Sequence, residues 1–195
     1  MEKLTEIVKT AGLLRSSDLA PYGIKRVALT RAVRHGTLER VGRGLYGLPS
    51  RKVSAHGTLA EVALRAPKGV ICLLSALRVH ELTTQAAFEV WLAIDNKAAV
   101  PKIAYPPLRV VRFSGPALTE GVEKHEIDGV IVHVTSVAKT VTDCFKFRNK
   151  IGLDVAIEAL REAWNSKRMT SDQLWHFAKI DRVANVMRPY MDSLS

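Results

Sequence analysis

Lys25, Arg26, Arg31 and Arg34 crowd one short stretch that contains no acidic residue. On a helix from Lys25 to His35, with successive residues turned by about 100°, Leu29, Ala32, Val33 and Gly36 share one side. Val27, Thr30, Arg31 and Arg34 share the other, with Arg26 at its margin. Such a face carries the chemistry of a major groove. Arginine makes a fork to guanine or to phosphate, while threonine and valine can touch a thymine methyl. Lys25, early in the helix, suits the phosphate backbone. A face exposed merely to solvent usually mixes signs, and this one does not. Directly after it come Arg40 and the run Gly42-Arg43-Gly44. Glycines allow a hairpin tip to approach a backbone or minor groove closely, and arginine supplies the charge.

The elements that must hold these residues follow from periodicity. Leu4, Ile7, Val8 and Ala11 recur at helical spacing over Glu2–Thr10, and Gly12 supplies a stop. Ser16 or Ser17 can cap a short second helix, with Pro21-Tyr22-Gly23 as the turn. The basic helix ends at Gly36, a left-handed cap. Thr37–Val41 and Leu45–Leu48 then flank the glycine run as a hairpin. Three helices and a basic hairpin make a winged helix-turn-helix over residues 1–52. A polar, turn-rich junction, Pro49–Ser54, separates it from a second domain over 56–195.

Charge is distributed accordingly. The chain of 195 residues carries a net charge of +10 with a pI near 9.9. Residues 1–55 hold eleven Lys/Arg and four Asp/Glu, so +7 of that excess lies in the first quarter. A localised basic excess favours a polyanion through steering and counterion release. Cys72 and Cys144 are far apart and belong to no CxxC pair, which excludes a zinc ribbon or a thioredoxin-like site on spacing. Neither a signal peptide nor an apolar run of membrane-spanning length is present, so the expectation is a soluble, cytoplasmic protein without a membrane partner.

In the second domain, Thr58–Ala66 and Val70–Leu82 read as helices, the latter opening on a run that could pass for a buried strand. Phe88–Ile94, Arg109–Phe113, Gly121–Ile127 and Val130–Val134 read as strands, the last two joined by Asp128-Gly129. Segments near 137–148, 152–166, 171–178 and 180–192 are amphipathic, with Thr170 or Ser171 as a cap. The fold class is α+β: a winged helix-turn-helix, then a mixed domain with a small, mainly antiparallel sheet and C-terminal helices.

The run Leu38-Glu39-Arg40-Val41-Gly42-Arg43-Gly44-Leu45-Tyr46-Gly47-Leu48-Pro49 resembles the N-terminal domain of AbiEi-type antitoxins, transcriptional regulators of bacterial abortive-infection (type IV) toxin–antitoxin systems. Ser75–Leu82 and Ala138–Arg148, with its Lys-Thr-Val-x-Asp-Cys block, are similar to the same family. The resemblance implies a repressor that binds inverted repeats in double-stranded operator DNA upstream of its own operon, cooperatively or as a dimer. It also implies a C-terminal domain that counters a cognate nucleotidyltransferase-like toxin. Arg26, Arg31, Arg34, Arg40 and Arg43 are the positions it carries over.

No residue constellation in the second domain points to catalysis, a metal or a cofactor, and the chain is expected not to be an enzyme. Lys139 and Asp143 stand i,i+4, the spacing of a surface ion pair. His125 and His133 lie on neighbouring strands, but no metal-ligand pattern surrounds them. Phe88/Trp91, Phe145/Phe147 and Trp164/Trp175/Phe177 read as core aromatics. The alternative function is a protein- or RNA-interaction module with non-specific DNA affinity.

Overall fold

The computed structural model describes residues 2–51, 54–85 and 88–194. Lys52, the limit expected for the first domain, lies outside them. The chain divides into two compact units. The first comprises residues 1–67 together with 125–132, and the second comprises 68–124 and 133–195.

In the first unit, α1 (Glu2–Ala11) buries Leu4 and Val8, and Gly12 ends it at φ 65°. A Cβ at Gly12 would lie 2.1 Å from the carbonyl oxygen of Asp128, so both the backbone angle and the available space demand glycine. The strand β1 (Leu13–Arg15) leads into a 3₁₀ helix, Ser16–Tyr22. Neither serine caps it. Asp18 instead turns back to accept the amide of Arg15 at 2.9 Å, and Pro21, inside the segment, has no amide to extend a helical ladder.

Next, α2 (Arg26–Arg34) starts from an extended Lys25. It ends in a Schellman arrangement, with Gly36 N–H donating to Val33 O and Thr37 N–H to Ala32 O around a left-handed Gly36. The strands β2 (Glu39–Gly42) and β3 (Leu45–Gly47) pair as an antiparallel hairpin, with a register shift between Arg40 and Gly42. β1 adds to β3, giving the sheet order β1-β3-β2. Leu4, Val8, Leu14, Leu19, Leu29, Ala32 and Leu38 form this unit's core. Each large aliphatic among them contributes about 1.5–3 kcal/mol by leaving water. The unit's last helix is α3 (Gly57–Arg65).

The second unit is built on β4 (Val70–Ile71), β5 (Val90–Asp95), β6 (Leu108–Phe113), β7 (Val122–Ile127) and β8 (Val130–Thr135). The sheet order is β6-β5-β4-β8-β7. Residues 125–132, at the tip of the β7–β8 hairpin, are counted with the first unit. Asp128 and Gly129 both take positive φ, 50° and 77°, the type I′ pattern that suits strand twist.

The expected mainly antiparallel sheet is not what forms. β5 runs parallel to β6 and β4 parallel to β8, whereas β4 and β5 are antiparallel. The reason lies in the connection between β5 and β6. It is long and carries Pro101, Pro106 and Pro107, and a chain of about a dozen residues can cross back to start a parallel neighbour where a tight turn cannot. Val70–Leu82 likewise divides into β4 and the helix α4 (Leu73–Val79), because Val70 and Ile71 pair with β5. Among the expected core aromatics, Phe88 is 92% exposed.

Among the described residues, six helices complete the unit: α5 (Pro116–Thr119), α6 (Val137–Lys146), α7 (Arg148–Ile151), α8 (Leu153–Asn165), α9 (Ser171–Ile180) and α10 (Ala184–Asp192). Thr170 caps α9 reciprocally with Gln173, a capping box. α6 is buried over every residue from Val137 to Phe145, against the amphipathic reading. Its polar side chains are accommodated by pairing. Thr140 Oγ1 lies 2.7 Å from Thr135 Oγ1, Thr142 Oγ1 donates to Ala138 O, and Lys139 Nζ binds the Asp143 and Asp181 carboxylates. The Lys139–Asp143 pair is therefore fully buried, not a surface pair. Burial pushes the Asp143 carboxyl well above the usual range, and the negative charge of Asp181 adds to this against the pull of Lys139. For Lys139, burial lowers the ammonium's pKa, but Asp143 and Asp181 together outweigh it and hold it above its ordinary value.

Candidate nucleic-acid interface

The orientation of α2 is set by two residues a turn apart. Leu29 and Ala32 are each 1% exposed and anchored in the core, which turns the opposite side outward. Lys25, Arg26, Val27, Thr30, Arg31 and Arg34 are all exposed, as are Arg40 and Arg43 on the hairpin. Val27, at 59%, is an apolar side chain left in solvent amid cations. Arg31 and Arg34 also lie in the last turn of α2, where the partial negative charge of the helix end favours them.

Arginines in this unit sort into two groups. Arg15, Arg51 and Arg65 are engaged by the fold. Arg15 pairs with Asp18 and donates to Leu64 O at 3.2 Å. Arg51 meets Glu39 at 3.0 Å and Glu61 at 3.9 Å, and Arg65 meets Glu61 at 3.7 Å. Burial pushes the Glu61 carboxyl up, against the lowering pull of Arg65 and Arg51. By contrast, among the described residues Arg26, Arg31, Arg34, Arg40 and Arg43 form no ion pair with a carboxylate. Their charge is available to an external anion without first being stripped from a carboxylate among the described residues.

The engaged group has a positioning role. Glu39 opens β2, so the Arg51–Glu39 contact and the Arg51–Glu61 contact tie the hairpin's base to α3. A Cβ at Gly42 would fall 1.8 Å from Arg65 Nη2, so a side chain at position 42 would displace that guanidinium, the movable end of its own side chain. At the tip, Ser16 N–H donates to Gly44 O at 2.9 Å, and Arg40 Nε donates to Gly42 O at 3.3 Å. Tyr46 packs partly buried against the core. Sequence reasoning placed Arg51 in a polar junction and gave no role to Glu61 or Arg65. The Arg65–Glu61 pair stands i,i+4 on α3, a spacing that local sequence does signal. The partners of Arg51 lie ten or more residues away on other elements, and nothing in local spacing signals that.

No helix among the described residues is long and apolar enough to cross a membrane. No curated protein matches the chain. The stretch that does find a family is the one carrying these side chains: residues 2–49, from α1 through the β2–β3 hairpin, match the family model described as transcriptional regulator, AbiEi antitoxin.

Proposed function

We propose that residues 1–52 form a winged helix-turn-helix that binds double-stranded operator DNA. In this reading α2 is the recognition helix and the β2–β3 hairpin the wing. Arg26, Val27, Thr30, Arg31 and Arg34 face the major groove, Lys25 takes a phosphate, and Arg40 and Arg43 track the backbone or minor groove. One observation carries the reading: a helix anchored by Leu29 and Ala32 presents, on its outer face, cations with no carboxylate partner among the described residues.

The chain then acts in the cytoplasm as a sequence-specific, autoregulating repressor and as the antitoxin of a toxin–antitoxin pair. Residues 56–195 contain the effector domain that counters a cognate nucleotidyltransferase-like toxin, with the second unit, residues 68–124 and 133–195, as its body. Support for the regulator class comes from the family match over residues 2–49. Support for the toxin-countering part is the resemblance of the Ser75–Leu82 and Ala138–Arg148 stretches.

Binding of the full chain to the DNA upstream of its own gene, against a scrambled duplex over a salt series, tests the proposal. A specific regulator discriminates by about 10³-fold or more at physiological salt. The double variant Arg31→Ala/Arg34→Ala should lose affinity, by about 1–3 kcal/mol for each fork to a base. If either arginine meets a phosphate instead, the salt slope falls by about 0.9 for each phosphate that is no longer neutralised. Both side chains are exposed, so the fold survives their removal. Unchanged operator affinity in that variant rejects the assignment of α2, and equal, weak binding to both duplexes rejects a specific regulator.

A further inference from the structure

A cavity of about 600 Å³ opens in the second unit, walled by the turn after β5, the end of β6, the last turn of α6 and the end of α9. Its charged lining is Arg112, Lys146 and Arg182 against a single carboxylate, Asp181. That carboxylate offers little negative charge to the cavity. It is 4% exposed, and its oxygens already accept from Lys139 Nζ at 3.1 Å and Lys146 Nζ at 3.0 Å. Asn96 and Ser114 add neutral polar groups to the lining.

Arg112 is held in place by contacts that leave it charged toward the cavity, whereas Lys146 shares its charge with Asp181. Arg112 Nη1 donates to three backbone carbonyls, Asp95 O, Asn96 O and Ala98 O, at 2.7–3.0 Å. No carboxylate neutralises it among the described residues. Lys146 Nζ lies 4.8 Å from the centroid of the Phe113 ring, with one side occupied by Asp181.

Arg182 is the third. It closes α9 in a Schellman arrangement, with Arg182 N–H donating to Lys179 O and Val183 N–H to Ala178 O. That places it at φ 59°, a conformation that glycine adopts most cheaply. Glu81 and Lys167 hold the same left-handed conformation after α4 and α8, so conformation alone is not diagnostic. What distinguishes Arg182 is that its exposed guanidinium, without an ion pair among the described residues, shares a concave wall with Arg112 and Lys146.

We infer that this cavity binds the polyphosphate group of a small ligand, and that the ligand is a nucleoside di- or triphosphate. Three cations against one carboxylate leave the lining net positive, which suits several phosphate oxygens, since phosphate recognition rests on multiple charge-assisted bonds. The volume lies within the range of small-molecule sites, about 300–1,000 Å³, and leaves room for a nucleoside beyond the phosphates.

Calorimetric titration of the full chain with ATP, pyrophosphate and adenosine, at constant ionic strength, tests this. Saturable one-to-one binding is expected for ATP and pyrophosphate, with ATP tighter and adenosine silent. Equal affinities for ATP and pyrophosphate would remove the nucleoside and overturn that part of the assignment. Arg182→Gly removes the cation while supplying the residue that the backbone favours. It should therefore melt no lower than the parent yet bind ATP at least tenfold more weakly. Arg31→Ala/Arg34→Ala, which disarms the basic face of the first unit, should bind ATP as the parent does. Full ATP affinity in Arg182→Gly, or its loss in the Arg31/Arg34 variant, would overturn the site.

Discussion

Lys139→Met removes the ammonium that bridges Asp143 and Asp181 in the interior of the second unit. All three side chains are essentially without solvent, and the Lys139–Asp181 contact is 3.1 Å. The lysine also lies 4.6 Å from the centroid of the Phe113 ring. Methionine fills similar volume, so the loss is electrostatic rather than a cavity. Asp143 is left without its counter-ion, while Asp181 keeps Lys146. Breaking one side of a buried pair costs about 3–5 kcal/mol. At about 2–4 °C per kcal/mol for a chain of this size, the melting point should fall by roughly 6–20 °C.

The chain's three tryptophans, Trp91, Trp164 and Trp175, all lie in the second unit, so denaturant unfolding followed by tryptophan fluorescence reads the affected unit directly. The sign with pH is fixed. Asp143 already has a folded pKa raised above its ordinary 3.8. A raised carboxylate contributes stability below its unfolded pKa and loses it as pH rises. Without Lys139 the shift is larger, so the deficit of the variant should grow as pH climbs from about 4 towards neutrality. Lys139 itself, raised above 10.5, stabilises the parent at every pH below that value. Adding Asp143→Leu to Lys139→Met should restore most of the loss, because an apolar pair in place of a buried ion pair is often neutral or better. A cost under about 1 kcal/mol for Lys139→Met, or no recovery in the double variant, would refute the reasoning.

Three further outcomes are expected. Gly12→Ala forces a Cβ to 2.1 Å from Asp128 O at φ 65°. The backbone term alone is about 1–2 kcal/mol, so proteolysis within the first unit should accelerate, and an unchanged cleavage rate would contradict the geometry. Thr170→Ala removes a cap whose hydroxyl accepts Gln173 N–H at 3.2 Å; it should cost about 0.5–2 kcal/mol by fluorescence-monitored unfolding, and Thr170→Ser should restore it. Cys72 and Cys144 are fully buried and their thiols are pushed well up by burial. A thiol reagent should label neither in the folded chain and both after denaturation, whereas prompt labelling would place a thiol at the surface.

How much of this is legible in the sequence depends on whether the cause is local. The α1 and α2 helices, the left-handed glycines at 12 and 36, the Asp128-Gly129 turn and the Thr170 cap are all fixed by neighbours within a few residues, and periodicity and turn chemistry report them. So does the outward direction of Arg31 and Arg34, because Leu29 and Ala32 determine it one turn away. The same reasoning fails for Ser16–Tyr22, where a proline and a competing Asp18 carboxylate turn an expected capped helix into a 3₁₀ segment.

What lies beyond local cause was decided by the tertiary structure. Sequence spacing gives Lys139 and Asp143 as neighbours on a helix and suggests water around them. Only the packing of α6 among its neighbours, with Asp181 brought from 38 residues further along the chain, makes that pair a buried network. The parallel pairing of β5 with β6 likewise depends on where a long connection returns. The engagement of Arg51 depends on where Glu39 and Glu61 come to rest. Local spacing sets which side of an element a residue occupies, but burial and charge pairing depend on the surfaces that the rest of the chain brings against it.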